Sequence, residues 1–388
     1  MTLIAAGAVV TPEAVHRPGW VETSAGRIVD VGAGVPLRAP DHDFADATMV
    51  PGFVDIHVHG GGGASYTEPS VDEIARAAAF HRRHGTTTTL ASLVTATPNE
   101  LLGQVRALTA ATRAGVIAGI HLEGPWLSAA RCGAHDADQL RDPDPAEINA
   151  LLDTADGAIR MVTVAPELPS GITAIRHLAA AGVVVAVGHT DASYDQTRTA
   201  IESGATIGTH VFNAMRPLHH RDPGPAMALL EDPRVTVELI ADGVHVHGAL
   251  LRHVLESAGP DRVALITDAM AAAGLPDGSF RLGALDVEVR DAIARVRGQS
   301  TIAGSTATMD RIFRAAVRNS GSDAELIAAA TMTATTPARA VGLSRVGSLA
   351  PGLVADVVVL GPDLHVVAVM ADGDVVVSQA AAPAVAAR

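Results

Sequence analysis

Lysine is absent from this sequence, because all 28 basic residues among its 388 positions are arginine. No lysine amine is therefore available to form a Schiff base, to contact phosphates from a Walker-A loop or to carry a carbamylated metal bridge. Cysteine is nearly absent as well, since Cys132 is the only one. A single thiol excludes an intramolecular disulfide and any zinc or iron–sulfur site built from several thiolates.

Aromatic residues, long apolar runs and positive charge are also scarce. Six Phe, two Trp and two Tyr leave the core to be built from Ala, Val, Leu and Ile. No apolar run reaches the ~20 residues that a membrane helix needs. The 42 acidic residues give a net charge of −14, which disfavours nucleic acid or an anionic membrane as a partner. Since no basic stretch opens the chain, we expect no secretory signal and a cytoplasmic protein.

Histidine, by contrast, is abundant, with 17 residues in the chain. Several of them stand beside Asp, Glu and Gly in short apolar segments. Because imidazole titrates near neutral pH and is the commonest metal ligand, this composition raises the hypothesis of a metalloenzyme.

The middle of the chain alternates apolar, β-rich segments with Ala-rich segments of helical spacing. The predicted strands are residues 49–58, 86–94, 115–122, 159–165, 183–188, 206–212, 234–241 and 262–267. Near-continuous apolar strands that alternate with helices are typical of parallel sheets covered on both faces. We therefore predict an α/β fold whose main domain, residues 51–345, is a (β/α)8 TIM barrel. An open, doubly wound sheet is the alternative.

The two ends of the chain have a different pattern from its middle. Short strand-like segments punctuated by Gly, Pro and Asp occupy residues 1–50 and 346–388. We predict that both ends assemble one small β domain, similar to a β-sandwich or β-barrel. Residues 280–302, after the eighth predicted strand, have the pattern of an inserted β-hairpin.

Polar side chains lie at the carboxyl ends of the predicted barrel strands. Alternation in the first strand places Asp55, His57 and His59 on one face. An H-x-H pair can chelate a metal, although two hydrogen-bonded core histidines would give the same pattern. Four other strands end in Glu123, His189, His210 and Asp268. Because a buried carboxylate is costly unless it is paired or metal-bound, the whole set predicts a metal centre at the catalytic face of a barrel.

Longer motifs surround these residues. PGFVDIHVHG at 51–60 and GSLAPGLVADVVVL at 347–360 resemble motifs found throughout the amidohydrolase superfamily. A second set resembles the N-acetylglucosamine-6-phosphate deacetylase family within it: HLEGPW at 121–126, GHTDASY at 188–194, THVFNAMRPLHHRDPG at 209–224, ADGVHV at 241–246 and AGSTATMD at 303–310. Together the motifs span essentially the whole chain. The resemblance implies hydrolysis of N-acetylglucosamine 6-phosphate to glucosamine 6-phosphate and acetate, in amino-sugar catabolism and recycling.

The resemblance also implies a set of metal ligands. Glu123, His189 and His210 would hold one divalent metal with its water. His57 and His59, with Glu123 bridging and Asp268 nearby, would hold a second. Zinc is the expected metal, with iron, cobalt, manganese and cadmium as alternatives. Some members of the family replace the first-strand histidines and use one metal, so one or two metals per subunit are expected.

For catalysis, the resemblance implies attack by a metal-activated hydroxide on the acetyl carbonyl. Asp268 would move the water proton to the leaving amine, and His135 would stabilise the oxyanion. The substrate phosphate needs donors, for which the backbone N–H groups at Asn213 and Ala214, the side chain of His245 and Arg221 are the candidates. The family pattern places this arginine across a subunit interface, so a homodimer is expected.

Two alternatives remain open from the sequence. The first is an amidohydrolase that acts on another N-acyl or cyclic amide substrate. The second is a catalytically inactive barrel that serves as a scaffold or binding protein, which should have lost metal ligands that this sequence retains.

Overall fold

The computed structural model describes residues 1–317 and 321–378. One of its two eight-stranded sheets has parallel strands that form a nearly closed barrel. We number them barrel strands 1 to 8 along the chain: Phe53–Val58, Thr86–Leu93, Gly119–Glu123, Ile159–Val164, Val184–Val187, Ala205–Gly208, Thr236–Leu239 and Val263–Leu265. Neighbours in the sheet are also neighbours in the chain. A doubly wound sheet would break that order, so the barrel prediction is confirmed and the alternative is wrong.

Backbone hydrogen bonds beyond the last barrel strand close the upper rim. The Asp268 N–H donates to the His57 carbonyl oxygen at 2.9 Å, and the His59 N–H donates to Ala269 at 2.8 Å. This register brings the segment that follows strand 8 against the end of strand 1. The first-strand histidines and Asp268 are thereby held side by side.

The third barrel strand begins four residues later than predicted, at Gly119 rather than residue 115. The preceding helix ends at Arg113, and Gly115 continues its terminal turn with a φ of +73°. Glycine adopts this left-handed conformation without the steric cost that a Cβ would bring, so the segment turns before it extends.

Helices cover the outside of the barrel and bury their apolar faces on its strands. The α-helices are Val71–Arg83, Pro98–Arg113, Pro145–Ala155, Gly171–Ala180, Tyr194–Glu202, Gly224–Glu231, Gly248–Ala258, Met309–Val317, Asp323–Ala330 and Thr336–Ala340. Short 3-10 turns occupy Ala129–Arg131, Ala137–Gln139 and Pro260–Arg262, and a π-helical turn occupies Thr331–Thr335. Several helices begin with side-chain caps, as at Thr97, which forms a reciprocal capping box with Glu100.

A separate sheet draws its strands from both ends of the chain. Its strands are Thr2–Val10, Val15–His16, Gly19–Ser24, Arg27–Ala33, His42–Pro51, Val357–Leu360, Val366–Ala371 and Asp374–Ser378. Strand His42–Pro51 joins the two halves, because it pairs with the first strand on one side and with Val357–Leu360 on the other. The domain boundaries at residues 50/51 and 345/346 stay a prediction, and residues 379–388 of the small domain lie outside the described part.

The predicted insertion after barrel strand 8 has three strands instead of two. Gly278–Leu282, Leu285–Arg290 and Ile293–Val296 form an antiparallel meander. The hairpin prediction was wrong about the third strand because Asp291 and Ala292, both at positive φ, make a second tight turn. A short ribbon, Gly60–Gly61 with Ala64–Ser65, follows barrel strand 1. Among the described residues, no helix combines the length and apolar character needed to cross a membrane.

Candidate active site

Glu123, the last residue of barrel strand 3, lies at the centre of a ring of imidazoles. Its Oε1 is 3.3 Å from Nε2 of His57, 3.1 Å from Nε2 of His189 and 3.0 Å from Nε2 of His210. Its Oε2 is 3.2 Å from Nε2 of His59. Since the five residues come from the ends of four barrel strands, the fold itself assembles the group that the sequence analysis predicted.

Asp268 completes this cluster from the end of strand 8. Its Oδ1 lies 3.2 Å from Nε2 of His59 and 3.6 Å from Nε2 of His57. Asp268, His189 and His210 all have positive φ angles, of 49°, 45° and 24°. Non-glycine residues are rarely found in this region, and such strained positions concentrate at functional sites.

The Nδ1 atoms of three of these histidines are held by hydrogen-bond acceptors. His57 Nδ1 is 3.1 Å from Glu238 Oε2, His59 Nδ1 is 3.2 Å from the Ser92 carbonyl, and His189 Nδ1 is 3.0 Å from the Arg131 carbonyl. A neutral imidazole that donates from Nδ1 keeps a lone pair on Nε2. In that neutral state, the Nε2 lone pairs and the carboxylate oxygens could bind a cation placed between them, which would take the place of the Nε2 protons.

The donor set therefore fits a divalent metal. Three groups of buried donors have their ligand atoms within 4.8 Å of one another: His57, His59 and Asp268; His57, Glu123 and His210; and Glu123, His135 and His189. Imidazole and carboxylate are the ligands of catalytic metal sites, and the acceptors on Nδ1 are the outer contacts that such ligands need. His57 Nε2 is buried without a hydrogen-bond partner in the described part of the chain.

The carboxylates of the cluster stay ionised. Burial alone would raise the pKa of Glu123, but His57 and hydrogen bonds from the neighbouring imidazoles hold it well below its ordinary value. Burial likewise opposes ionisation of Asp268, whose pKa is nevertheless lowered by the hydrogen bond from His59 and by the charge of His57. Both groups are thus available as anionic ligands or proton acceptors at neutral pH.

His135 lies beside this cluster in a defined tautomer. The Thr95 N–H donates to His135 Nδ1 at 3.2 Å, and the Thr95 hydroxyl is 2.9 Å from the same atom. Burial, with a smaller contribution from the neighbouring imidazole of His189, lowers the pKa of His135 to about 4, so the His135 ring is neutral. With Nδ1 accepting, Nε2 carries the proton, and this atom lies 3.4 Å from Glu123 Oε2.

A cavity of about 320 Å³ opens above the cluster. Nine of the sequence-predicted residues line it: His59, Glu123, His135, His189, His210, Asn213, Ala214, His245 and Asp268. His57 is fully buried beneath them. Arg221 is exposed on the loop after strand 6, next to His220, and is not among the described residues that line the cavity.

The predicted phosphate donors differ in whether they already take part in a hydrogen bond within the protein. The Asn213 N–H and its Nδ2 both donate to the His210 carbonyl, at 3.0 and 3.1 Å. The backbone N–H of Asn213 is therefore already used, whereas no hydrogen bond from the Ala214 N–H is found within the described residues. His245 Nδ1 is 2.7 Å from Asp242 Oδ2. Burial opposes protonation of His245, but this hydrogen bond raises its pKa, which favours the charge that would bind an anion.

Comparison with known proteins agrees with this geometry. The pattern of the amidohydrolase family matches residues 48–376 of the chain. The chain belongs to the amidohydrolase family. The family consists of metal-dependent hydrolases, and the clustered donors described above are groups that could bind the metal.

Individual relatives in the family cover nearly the whole chain. One is the structure of an aspartate-to-alanine variant of N-acetyl-D-glucosamine-6-phosphate deacetylase from Mycobacterium smegmatis, in complex with N-acetyl-D-glucosamine-6-phosphate. It is 55% identical with a TM-score of 0.95, covering 97% of this chain and 99% of that chain. The N-acetylgalactosamine-6-phosphate deacetylase of Escherichia coli O157:H7 is 35% identical, over 90% of this chain and 93% of its own. The N-acetylglucosamine-6-phosphate deacetylase of Danio rerio is 37% identical, over 84% of each.

Sequence analysis missed two residues that organise this amidohydrolase site. Glu238 lies in the middle of barrel strand 7, fully buried, and its Oε2 also accepts from the His210 N–H at 3.3 Å. A glutamate inside an otherwise apolar four-residue strand was the available signal. Thr95 gave no such signal, because threonine is ordinary at the end of a strand. Asp55, although buried, accepts from the His57 backbone N–H and from Thr267, and no hydrogen bond from it to a ligand imidazole is found among the described residues.

Proposed function

We propose that this amidohydrolase removes the acetyl group of N-acetyl-D-glucosamine 6-phosphate, giving D-glucosamine 6-phosphate and acetate in amino-sugar catabolism and recycling. The observation that carries the proposal is the ring of imidazole Nε2 atoms around Glu123, with Asp268 beside it, under an open cavity. Hydrolysis of an unactivated amide needs both an activated water and a polarised carbonyl, which such a cluster can provide. Relatives that cover nearly the whole chain are named as deacetylases of N-acetylhexosamine 6-phosphates.

We propose two metal positions within this donor set. Glu123, His189 and His210 would hold one divalent cation. His57, His59 and Asp268, together with Glu123, would hold a second. Zinc is the proposed metal because imidazole and carboxylate are its catalytic ligands, and iron, cobalt, manganese and cadmium accept the same donors. A divalent cation bound here lowers the pKa of a water molecule and polarises a carbonyl.

Asp268 is the proposed proton carrier of the reaction. Its ionised carboxylate takes a proton from the attacking water as the new C–O bond forms at the acetyl carbon. It then passes that proton to the amide nitrogen as the C–N bond breaks, so that the products are acetate and a free amine.

His135 is the proposed donor to the developing oxyanion. Its neutral ring presents the Nε2 proton next to Glu123, because the Thr95 N–H occupies Nδ1. A donor fixed before the reaction begins stabilises the transition state without needing to reorient.

The phosphate is the proposed partner of the free Ala214 N–H, the side chain of Asn213, the imidazole of His245 and an arginine. Because Arg221 lies outside the lining of its own cavity, a homodimer is proposed in which the partner subunit's Arg221 reaches the phosphate. We also propose that the reaction is cytoplasmic, because a sugar-phosphate dianion is too costly to desolvate to cross a bilayer unaided.

The test is acetate release from N-acetylglucosamine 6-phosphate by the purified protein, before and after removal of metal by a chelator. We expect release that is lost with the metal and restored by zinc. A protein that binds metal but releases no acetate would support the alternative of an inactive scaffold.

The same assay should include the 6-phosphates of N-acetylgalactosamine and N-acetylmannosamine, and unphosphorylated N-acetylglucosamine. We expect the gluco epimer to have the highest kcat/KM. The galacto epimer belongs in the panel because a relative 35% identical is named for it. A preference for the galacto compound would reassign the substrate while keeping the reaction.

A further inference from the structure

Two cavities meet beside His135, and a thin wall separates them. The catalytic cavity of about 320 Å³ and a neighbouring cavity of about 500 Å³ share Val94 as a lining residue. Leu282 lines only the catalytic side, whereas Arg281 and Gly283 line the neighbouring one. Alternation along strand Gly278–Leu282 explains why the side chains of Arg281 and Leu282 point to opposite faces, and Gly283 follows directly after the strand.

The wall is tightly packed and apolar on the catalytic side. Val94 and Leu282 are each 4% exposed and belong to one apolar cluster, against which Ala134 packs. The backbone of Gly283 lies so close that a Cβ placed there would be 2.6 Å from a methyl group of Val94. On the other side of the wall, the neighbouring cavity has a polar lining that includes Thr97, Glu100 and Gln104.

The position of the wall in the barrel indicates which end of the substrate faces it. Val94 directly follows barrel strand 2, whereas Asn213 and Ala214 follow strand 6, which is diametrically opposite in an eight-stranded barrel. His245 follows strand 7, on the same side as strand 6. The donors proposed for the phosphate are therefore across the barrel axis from Val94, with the metal ligands between them.

The acyl end of the substrate must then point toward Val94. The carbonyl oxygen is proposed to meet His135, whose Nδ1 is bound by Thr95, the residue after Val94. With the phosphate on the far side, the group attached to the carbonyl carbon is directed to the apolar wall. A methyl group suits such a surface, since it is apolar and needs no hydrogen bond.

We infer that Val94 and Leu282 form the wall that restricts the acyl group of the substrate to acetyl, a specificity that rests on the proposed deacetylase function. Longer acyl chains would clash with a wall that is braced from behind by Gly283. Truncating either side chain would remove part of that wall and open a connection to the neighbouring cavity.

The experiment compares kcat/KM for the N-acetyl, N-propionyl and N-butyryl derivatives of glucosamine 6-phosphate, measured as release of the common amine product. We expect the wild type to prefer acetyl over propionyl by about 10–200-fold, the range for one methylene in an apolar pocket. In Leu282→Ala and in Val94→Ala this preference should fall by at least about tenfold. The hydrolysis of the acetyl substrate should change less than the preference does.

Val289→Ala is the matched control, because it tests whether a general loosening of the three-stranded insertion after barrel strand 8 changes the acyl preference. Val289 is 2% exposed and belongs to the same apolar cluster, but it does not line either cavity among the described residues. Its acyl preference should equal that of the wild type, and melting temperatures of all three variants identify any that fail to fold. Using two wall positions keeps the test valid if one variant is unstable.

Each outcome decides a separate point. If both folded wall variants keep the wild-type acyl preference and still release acetate, the proposed role of the wall is overturned, but the deacetylase function is not. A change of the same size in Val289→Ala would also overturn it, because general loosening would then explain the result. If the wild type releases no acetate, the proposed function fails, and this inference fails with it.

Discussion

Each imidazole of the cluster can serve as a metal ligand in only one tautomer. His59 and His189 have Nδ1 fixed by backbone carbonyls, which have no proton to donate, so Nδ1 must carry the proton and donate the hydrogen bond. His57 differs, because its Nδ1 faces the carboxylate of Glu238, a charged and fully buried acceptor. A charged acceptor makes the bound imidazole a stronger donor of its Nε2 lone pair.

Glu238→Gln should therefore weaken the metal position that includes His57. The amide keeps nearly the same shape, but it loses the charge that holds the Nδ1 proton. We expect metal affinity at this position to fall by about 10–100-fold, with the metal of Glu123, His189 and His210 retained. Metal content per chain after equilibration with buffered zinc measures the effect. Glu238→Asp, which keeps the charge, should recover part of the metal affinity. Equal loss of metal from both positions in Glu238→Gln would contradict the assignment of Glu238 to the position that includes His57.

Asp268→Asn tests the proposed proton carrier. The substitution keeps the shape of the side chain but removes its ability to accept a proton. We expect kcat to fall by at least the ~10²–10⁴-fold that is typical of general acid–base groups, while the metal bound by the other ligands remains. Steady-state kinetics with metal analysis on the same sample provides the measurement. Turnover close to that of the wild type would exclude Asp268 from this role.

At the scale of the elements, the sequence predicted most of what positions the site. A polar side chain inside an apolar barrel strand is costly unless it is paired, so the proposed metal ligands lie mostly at strand ends. Glu123, His189 and Asp268 were therefore recognisable in the sequence as exceptions to an apolar pattern. Glu238, on barrel strand 7, was not recognised, because its role depends on His57 of barrel strand 1, with which strand 7 is not paired in the sheet. The same limit applies to Thr95, whose contact with His135 joins residues 40 positions apart in the chain.

One contact between elements should govern stability in acid. His81, on helix Val71–Arg83, is fully buried, and its Nε2 donates to the Gly60 carbonyl at 2.8 Å. Burial lowers the pKa of His81 to about 4 in the folded chain, below its ordinary value of 6.5. The unfolded chain thus binds more protons between these values, so stability is complete above pH 6.5 and falls as the pH drops toward 4.

His81→Gln tests this pH dependence, because glutamine can still donate to Gly60 but does not titrate. A shift of about 2.5 pH units corresponds to roughly 3 kcal/mol of unfolding free energy lost by the wild type between pH 6.5 and 4. The variant should lose less stability than the wild type over this interval, by about that amount. Denaturant unfolding at several pH values measures it. Parallel stability curves for the two proteins would show that His81 does not carry the effect.

At the scale of the whole molecule, the charge of the chain opposes its proposed substrate. A net charge of −14 repels a sugar-phosphate dianion, so the cavity must supply positive charge locally. The hydrogen bond to Asp242 raises the pKa of His245 against the opposing effect of burial, which favours a positive charge on this imidazole in the chain's own cavity. Arginine must provide the rest, since the chain contains no lysine. The proposed source is a second subunit, because Arg221 is exposed and is not among the described residues that line the cavity of its own chain.

Arg221→Ala should weaken recognition of the phosphate specifically. Loss of a hydrogen bond to a charged group costs about 1.5–3 kcal/mol, which predicts a decrease of roughly 10–150-fold in kcat/KM for the 6-phosphate. The slow reaction of unphosphorylated N-acetylglucosamine should barely change. An equal loss with both substrates would show that Arg221 supports the fold rather than the phosphate.

Mixed dimers then decide which subunit supplies the arginine. When Arg221→Ala chains are co-expressed with inactive Asp268→Asn chains, a mixed dimer contains one site with an intact Asp268 that faces an intact arginine from its partner. If Arg221 acts across the interface, activity below KM should rise above that of either variant alone, in proportion to the fraction of mixed dimers measured by native mass spectrometry. If Arg221 acts within its own subunit, no site in the mixed dimer is complete, and verified mixed dimers should show no gain.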